Sequence, residues 1–191
     1  MSFLAVGAAT AALAGGQPPP APVEPTPRHP IVVGDKTISR GWLRHWTDIA
    51  ARSAGDHRHR PGYRAMAAQL LISNRWIRSE ALERGIFVSR AQVNRSLRRQ
   101  RRQSFATRRD YRKFLRTSGQ TPTDIRLRVR VDMLSNRIRR QVTRGAATPR
   151  EEQRWLDEFV LEFRRKWSAR TACLPPWFVE GDCGRPPSRS R

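Results

Sequence analysis

The sequence predicts an all-α fold of about six helices, preceded by a short extended segment. Apolar residues recur at spacings of three and four along most of the stretch 40–170, which indicates helices with one buried face. Residues that begin and end helices separate these repeats. Between residues 63 and 142, apolar and polar residues do not alternate as they do in a half-buried strand.

The first elements follow one another between residues 31 and 53. Residues 31–33 form a short apolar segment, which turns at Gly34. Ser39 is a good N-cap for the first helix, because its hydroxyl can accept a hydrogen bond from a free backbone N–H. This helix carries Trp42 and Trp46 on its apolar face.

Residues typical of helix starts and ends predict the bounds of the second helix and the start of the third. Pro61 suits the first turn of the second helix, since the N–H that it lacks would have no partner there. Gly85 ends this helix, because glycine adopts the left-handed conformation without steric strain. Ser89 and Gln92 carry the signature of a capping box, which predicts that a third helix begins at once.

Two more helices are predicted before residue 146. The fourth begins near Thr107 or Asp110 and ends at Gly119. We expect it to bury Tyr111, Phe114 and Leu115. The fifth begins after Thr121, an N-cap followed by a proline at the first helical position, and Gly145 ends it.

The closing helix, over about 149–170, has the fullest start signal in the chain. Thr148 is its N-cap, a proline follows, and Glu151 is placed to complete a capping box. Its apolar stripe is largely aromatic and consists of Trp155, Leu156, Phe159, Val160, Phe163 and Trp167. A helix this aromatic must cover another element. We expect it to pack on the first helix, whose Trp42 and Trp46 need the same cover.

The chain is strongly basic, with 38 Lys and Arg against 16 Asp and Glu and a formal net charge of +22. Only three of the basic residues are lysines. Such an excess attracts anionic polymers or surfaces, whatever the fold. The alternative is that the arginine bias reflects the coding composition of the source genome and that these residues form solvated faces.

Residues 1–14 resemble the end of a secretory signal. Their short apolar run ends in Ala12-Leu13-Ala14, an A-x-A type of cleavage site, but lacks the basic residues that normally precede it. We favour a truncated signal whose start codon is placed too far downstream; the alternative is a flexible tail. The run is too short to span a bilayer. Residues 15–30, rich in Pro and Ala, are predicted to form an extended linker.

Two cysteines, Cys173 and Cys183, lie in the tail 173–191. With no second pair and no neighbouring histidine at zinc spacing, they disfavour a metal site. We favour a local disulfide, which implies an oxidising, extracytoplasmic compartment, over two inert thiols. The residues from Gly184 onward are predicted to be disordered.

The sequence offers little chemistry for catalysis. His57 and His59 are the closest pair of histidines, but arginines flank them and repel cations, so we interpret them as solvated loop residues. The motifs of serine hydrolases, phosphate-binding loops, dinucleotide sites and zinc proteases do not occur. We therefore expect a protein that is not an enzyme, with no catalytic residue, metal or cofactor.

Several segments occur in an ordered series. They are 31–39 (IVVGDKTIS) followed by Trp42 and Trp46, 71–72, 80–89 (EALERGIFVS), 114–126, and 163–167 followed by the two cysteines. This series resembles the secreted foldases related to PrsA and SurA, particularly the actinobacterial forms, over about residues 31–183. The resemblance implies a helical chaperone domain over 31–172, of the SurA and trigger-factor peptide-binding type, and the paired cysteines seen in those members.

The chain departs from that family in one important respect. Complete members carry a parvulin-type prolyl isomerase domain between the fifth helix and the closing helix. Here only Gly145, Ala146 and Ala147 lie between the two, and a domain with its own sheet and cleft needs many more residues. We therefore do not expect isomerase activity. Gly34 also replaces the asparagine of the family's early turn.

The first functional hypothesis is a holdase-type extracytoplasmic chaperone that binds unfolded or nascent exported polypeptides in an apolar cleft between helices. Aromatic and methionine side chains suit this role, because they adapt to many partners with few polar demands. The candidates are Trp42, Trp46, Met66, Trp76, Tyr111, Phe114, Met133, Trp155 and Phe159. The alternative for each of them is a place in the core. The basic exterior would hold the protein near an anionic cell-envelope surface.

Two other hypotheses remain open. Residues 89–119 form two basic helices joined by a turn, and their arginines could follow the phosphates of a nucleic acid. The export-like N-terminus and the paired cysteines argue against this. The third hypothesis is a scaffold protein whose apolar face binds one fixed partner. The sequence leaves the oligomeric state open.

Overall fold

The computed structural model describes residues 23–56 and 61–184. Within them the chain forms six helices and one small sheet, which confirms the all-α prediction. The elements in chain order are β1 Ile31–Val33, β2 Lys36–Ile38, α1 Arg40–Ser53, α2 Pro61–Glu83, α3 Arg90–Ser104, α4 Arg108–Ser118, α5 Pro122–Val142, α6 Pro149–Ser168 and β3 Thr171–Cys173. The signal-like segment 1–14, the first half of the linker 15–30, His57, His59 and the tail from residue 185 lie outside the described residues.

The helices begin where the sequence predicted. Ser39 Oγ accepts a hydrogen bond from the Trp42 N–H at 3.2 Å. Complete capping boxes begin α3, α4 and α5, and pair Ser89 with Gln92, Thr107 with Asp110, and Thr121 with Asp124. The box predicted for α6 is only half formed. Thr148 Oγ1 accepts from the Glu151 N–H, but the Glu151 carboxylate accepts from the Ala147 N–H instead, at 2.9 Å.

A three-stranded antiparallel sheet in the order β2-β1-β3 joins the two ends of the domain. Ile31 pairs with Ile38 across a two-residue turn, and with Cys173 on its other side. Gly34 adopts a φ of +59° in that turn, which glycine does readily. The sequence indicated the turn and the first strand but not β3, because its pairing brings together residues that are far apart along the chain.

The predicted disulfide is confirmed. Cys173 and Cys183 are bonded at an Sγ–Sγ distance of 2.04 Å, with their Cα atoms 5.8 Å apart. The bond folds the segment after β3 back onto the body of the domain, where Trp177 is buried. Gly184 then donates its N–H to the Thr171 carbonyl at 2.7 Å. The tail up to residue 184 is therefore a packed part of the domain.

Among the described residues, most of the buried apolar side chains fall into two clusters. The larger one contains residues of the sheet, the facing sides of α1 and α2, Trp167 and both cysteines. The smaller one is formed by Ala81, Leu134 and Ile138, with Phe159 packed against it. Neither cluster contains a residue of α3 or α4. Val93 is the one buried residue of α3, and α4 has none.

The prediction that the closing helix packs on the first helix was wrong. The contacts of α6 run to α2 and α5: Phe163 meets the Trp76 ring edge-on at 6.0 Å, and Arg139 of α5 pairs with Glu152 at 2.8 Å. Trp167 of α6 and Trp46 of α1 both belong to the larger cluster, but α2 contributes many of the other residues in it. The apolar faces of α1 and α6 therefore both pack against α2.

Part of the aromatic stripe on α6 stays uncovered. Val160 is exposed, and Trp155 and Phe159 are half-buried. Leu161, next to the stripe, is exposed as well. Among the described residues, none of the helices combines the length and the apolar character that crossing a bilayer requires.

Candidate functional site

An open apolar groove of about 470 Å³ lies between α1 and α2, and we call it the Trp46 groove. It is lined chiefly by Trp46, Ile49, Met66, Leu70, Gln120 and Arg128. The apolar faces of two adjacent helices meet there without closing over each other. The Met66 side chain is 57% exposed, although its apolar surface would be better buried. This groove therefore presents adaptable apolar surface to solvent.

A second depression of about 280 Å³ lies between α3, α4 and α5, and we call it the aromatic groove. Phe105, Tyr111 and Phe114 form its aromatic part, and the Phe105 ring centroid lies 5.3 Å from each of the other two. The sequence predicted that α4 would bury this face. Instead Tyr111, Phe114 and Leu115 are all only half-buried, and α4 buries no residue completely.

Arg128 of α5 lines both grooves and so marks the place where they adjoin. Its Nη1 donates a hydrogen bond to Gln120 Oε1 at 3.2 Å. Its guanidinium carbon lies 5.9 Å from the Trp46 ring centroid, within the range of a cation–π interaction. Arg128 itself is exposed, whereas Gln120 is buried and so fixes one end of the side chain.

A hydrogen bond between His45 and the buried Asp124 connects α1 to the start of α5 close to this junction. Asp124 is fully buried, and its Oδ2 lies 2.9 Å from His45 Nε2. The same oxygen accepts hydrogen bonds from the Thr121 N–H and hydroxyl, each at 2.7 Å. Trp42 stacks on the His45 ring at 5.2 Å. These contacts fix the N-terminal part of α1, from which Trp46 reaches the groove.

The charge beside the aromatic groove is strongly positive. Residues 89–119, which we call the arginine lobe, hold eleven Arg and Lys and one acid, Asp110. That acid is engaged in the α4 capping box. No basic side chain of the lobe forms an ion pair within 4.0 Å of a described acidic group. The lobe therefore keeps its charge unneutralised within the described parts of the chain.

In contrast to the arginine lobe, a cluster of paired charges joins α2 to α6 around the buried Glu80. Its carboxylate accepts hydrogen bonds from Arg84 and Lys166, both at 2.6 Å, and from the Trp167 indole at 2.8 Å. Burial opposes the charged form, but these hydrogen bonds outweigh it, so the pKa of Glu80 lies below its ordinary value of 4.5. All three donors belong to the packed interface, so this cluster stabilises the fold.

Lys166 has a second acidic partner in Glu83, at 2.5 Å. Partial burial would lower the pKa of Lys166, but the hydrogen bonds from its ammonium group to Glu80 and Glu83 raise that pKa above its ordinary value of 10.5.

Four of the predicted binding residues line the two grooves. Trp46 lies in the wall of the Trp46 groove but is only 2% exposed and belongs to the core, whereas Met66 is open to solvent there. Tyr111 and Phe114 line the aromatic groove. The structure corrects the assignment of Trp76, which is 3% exposed and donates its indole N–H to Thr171 Oγ1 at 2.8 Å. Trp76 lies off the main apolar stripe of α2, and on that side it packs against Phe163 of α6 and does not line a groove.

The other predicted residues lie apart from both grooves. Trp42 stacks on His45, and Met133 and Trp155 are half-buried elsewhere. Phe159 packs against the smaller core cluster, with the Arg84 guanidinium 4.8 Å from its ring centroid. Sequence reasoning missed Arg128, because nothing in its local pattern separates it from the many other arginines of the chain.

Within the described ranges, the His, Cys, Asp and Glu side chains form no group that could hold a metal ion. Comparisons of the chain with family models, curated proteins and solved structures found no match.

Proposed function

We propose that the protein is an extracytoplasmic holdase-type chaperone, which binds unfolded segments of exported polypeptides in the Trp46 groove. The observation that carries this proposal is the open apolar groove with Met66 more than half exposed at its wall. Methionine and aromatic surfaces accept many different side chains, since they gain contact area with few polar geometric demands. The resemblance to secreted foldases points to the same role.

The neighbouring aromatic groove supports the proposal. Two apolar sites that adjoin at Arg128 can hold two side-chain clusters of one extended chain. The second contact is then made at a high effective concentration, so that weak sites combine into useful affinity. The disulfide between Cys173 and Cys183 fits an oxidising compartment outside the cytoplasm.

The test is suppression of aggregation of chemically reduced insulin, followed by light scattering at moderate salt. The full chain is expected to delay aggregation. Met66→Glu places a charge in the groove and is expected to weaken the effect severalfold. Leu161→Glu is the matched control, because Leu161 is 67% exposed on α6 and lines neither groove.

Two results would contradict the proposal. One is a full chain that leaves the aggregation rate unchanged. The other is an equal loss in the Met66→Glu and Leu161→Glu variants, since that would show a general effect of added charge. Thermal unfolding of both variants checks that each is folded.

The arginine lobe favours a second candidate function, the binding of nucleic acid. Its eleven basic residues against one acid, with no ion pair to the described acidic groups, suit contact with a phosphate backbone. Titration of duplex DNA at several salt concentrations tests it. If Kd rises steeply with salt, by a log–log slope of about 0.9 for each phosphate contacted, and Met66→Glu has no effect, this second function replaces the first.

A further inference from the structure

We propose that Arg128 is a specificity-determining residue, which selects polypeptide segments with an acidic side chain between two apolar anchors. This inference rests on the proposed function and names the class of segment that the site prefers.

The position of Arg128 places it on the path of a bound chain. It is the one residue common to the linings of the Trp46 groove and the aromatic groove. An extended segment that fills both grooves with apolar side chains must therefore pass this guanidinium. The residue between the two anchors is the one that Arg128 meets.

The guanidinium keeps most of its hydrogen-bonding capacity. Of its five N–H donors, the structure engages one, with the neutral Gln120 side chain at 3.2 Å. Asp132 lies four residues further along α5 but forms no ion pair with Arg128 within 4.0 Å. An arginine fork fits a carboxylate with two parallel hydrogen bonds, and these are stronger than bonds to a neutral amide.

The surroundings sharpen this preference. The arginine lobe beside the junction repels a lysine or arginine of a client, so a basic residue between the anchors is disfavoured. Asp132 is exposed in the lining of the aromatic groove and opposes an acid that goes further in. The favoured pattern is therefore apolar, then acidic, then aromatic or apolar.

The experiment measures binding of short fluorescein-labelled peptides to the full chain by fluorescence anisotropy. The peptides share two flanking clusters of Leu and Phe and differ only in a central Asp, Asn or Lys. We expect the Asp peptide to bind roughly tenfold more tightly than the Asn peptide, as charge-assisted hydrogen bonds allow, and the Lys peptide to bind most weakly.

Variants of α5 test whether Arg128 causes the preference for the Asp peptide. Arg128→Met is expected to remove the difference between the Asp and Asn peptides, and Arg128→Lys to keep part of it. Arg126→Met is the matched control on the same helix. Arg126 bonds to Thr123 and lines a different depression, so this variant is expected to keep the preference of the unmodified chain.

Each outcome has a defined meaning. Equal binding of the Asp and Asn peptides by the unmodified chain overturns the inference and leaves the chaperone proposal standing. An equal loss of preference in Arg128→Met and Arg126→Met also overturns it, since the general positive field would then explain the selection. If none of the peptides binds, the chaperone proposal fails as well. Should Arg128→Met fail to fold, the unmodified chain and Arg128→Lys still decide.

Discussion

The contact between α2 and α6 and the arginine lobe use charged side chains in opposite ways. At the first, Glu80 is 3% exposed and is surrounded by three donors, and Glu83 pairs with Lys166 and with Arg170 at 2.9 Å. In the lobe, eleven basic residues accompany a single acid, which serves as a helix cap. One region neutralises its charges across a helix interface, and the other keeps them.

Burial follows the same division. The α2 side of the domain contributes Leu71, Ile72 and Trp76 to the main cluster, whereas α3 and α4 bury only Val93. Regions with few buried apolar contacts open first in a folded protein. The comparison indicates that the buried contacts around α2, including those with α6, contribute more to the stability of the domain than the lobe does. The lobe is less constrained, and its charge is available to a partner.

The largest effect is expected from removal of the Glu80 carboxylate. This change tests whether the charged contacts between α2 and α6 stabilise the domain. In Glu80→Ala the Trp167 indole loses its acceptor, and Lys166 retains only Glu83. Loss of one partner from a buried pair typically costs about 3–5 kcal/mol, and we expect about 3 kcal/mol because Lys166 keeps that second acid. Urea unfolding measures the change in the free energy of unfolding.

Glu80→Gln is the control for this substitution, because it keeps the shape and an acceptor oxygen. It is expected to lose clearly less stability than Glu80→Ala. A Glu80→Ala protein within about 0.5 kcal/mol of the unmodified chain, the range of ordinary surface substitutions, would place the stabilising contacts elsewhere.

Lowering the pH is expected to have a smaller effect on stability, through protonation of Glu80. The pKa of Glu80 is lower in the folded chain than its ordinary value of 4.5, so the unfolded chain takes up a proton first as the pH falls. The stabilisation is present above pH 4.5 and is lost as the pH falls through the folded-state pKa. The raised pKa of Lys166 acts in the opposite sense: its stabilisation is present below the ordinary lysine pKa of 10.5 and is lost above the raised value.

The urea midpoint at a series of pH values below 6 measures the acid effect. Protonation of the other carboxylates also removes negative charge that offsets the many arginines. Glu80→Gln corrects for this effect, because it shares those carboxylates and lacks only the one at position 80. The unmodified chain is expected to lose more stability than Glu80→Gln as the pH falls. Parallel curves for the two proteins would show that Glu80 does not contribute to the pH dependence.

The smallest effect is expected in the lobe. Arg109 and Arg112 are exposed on α4 and lie three residues apart, where like charges repel by a few tenths of a kcal/mol. The double variant Arg109→Gln, Arg112→Gln should therefore change the free energy of unfolding by no more than about 0.5 kcal/mol, and in the stabilising direction. A loss of more than about 1 kcal/mol would show that the lobe depends on these charges for its structure.

Local signals explain most of what could be predicted from the sequence. Ser89 with Gln92, and Thr121 with Asp124, place helix starts correctly, because a cap depends on residues three positions apart. The pairing of Cys173 with Cys183 was predictable for the same reason, since ten positions separate them. Four of the residues named from the sequence, Trp46, Met66, Tyr111 and Phe114, line the two grooves. The sequence could not separate them from core residues, because exposed and buried aromatic residues have similar local patterns.

The errors concern contacts between distant parts of the chain. Trp76 was assigned to a cleft, but its partners are Phe163 and Thr171, more than eighty residues away along the sequence. The apolar stripe of α6 showed that the helix needs a cover, and it could not show that α2 provides one. Several helices of this chain have apolar faces that would have satisfied the same need.

The sequence by itself determined where the helices begin, which residues cap those starts, and that the chain is strongly basic. These properties depend on neighbours within a few positions or on composition alone. The tertiary structure decided that Glu80 lies beneath α6, that β3 completes the sheet, and that Arg128 stands between two open grooves. Packing selects one arrangement from many with similar local patterns, because the free energy of burial depends on which distant surfaces fit together.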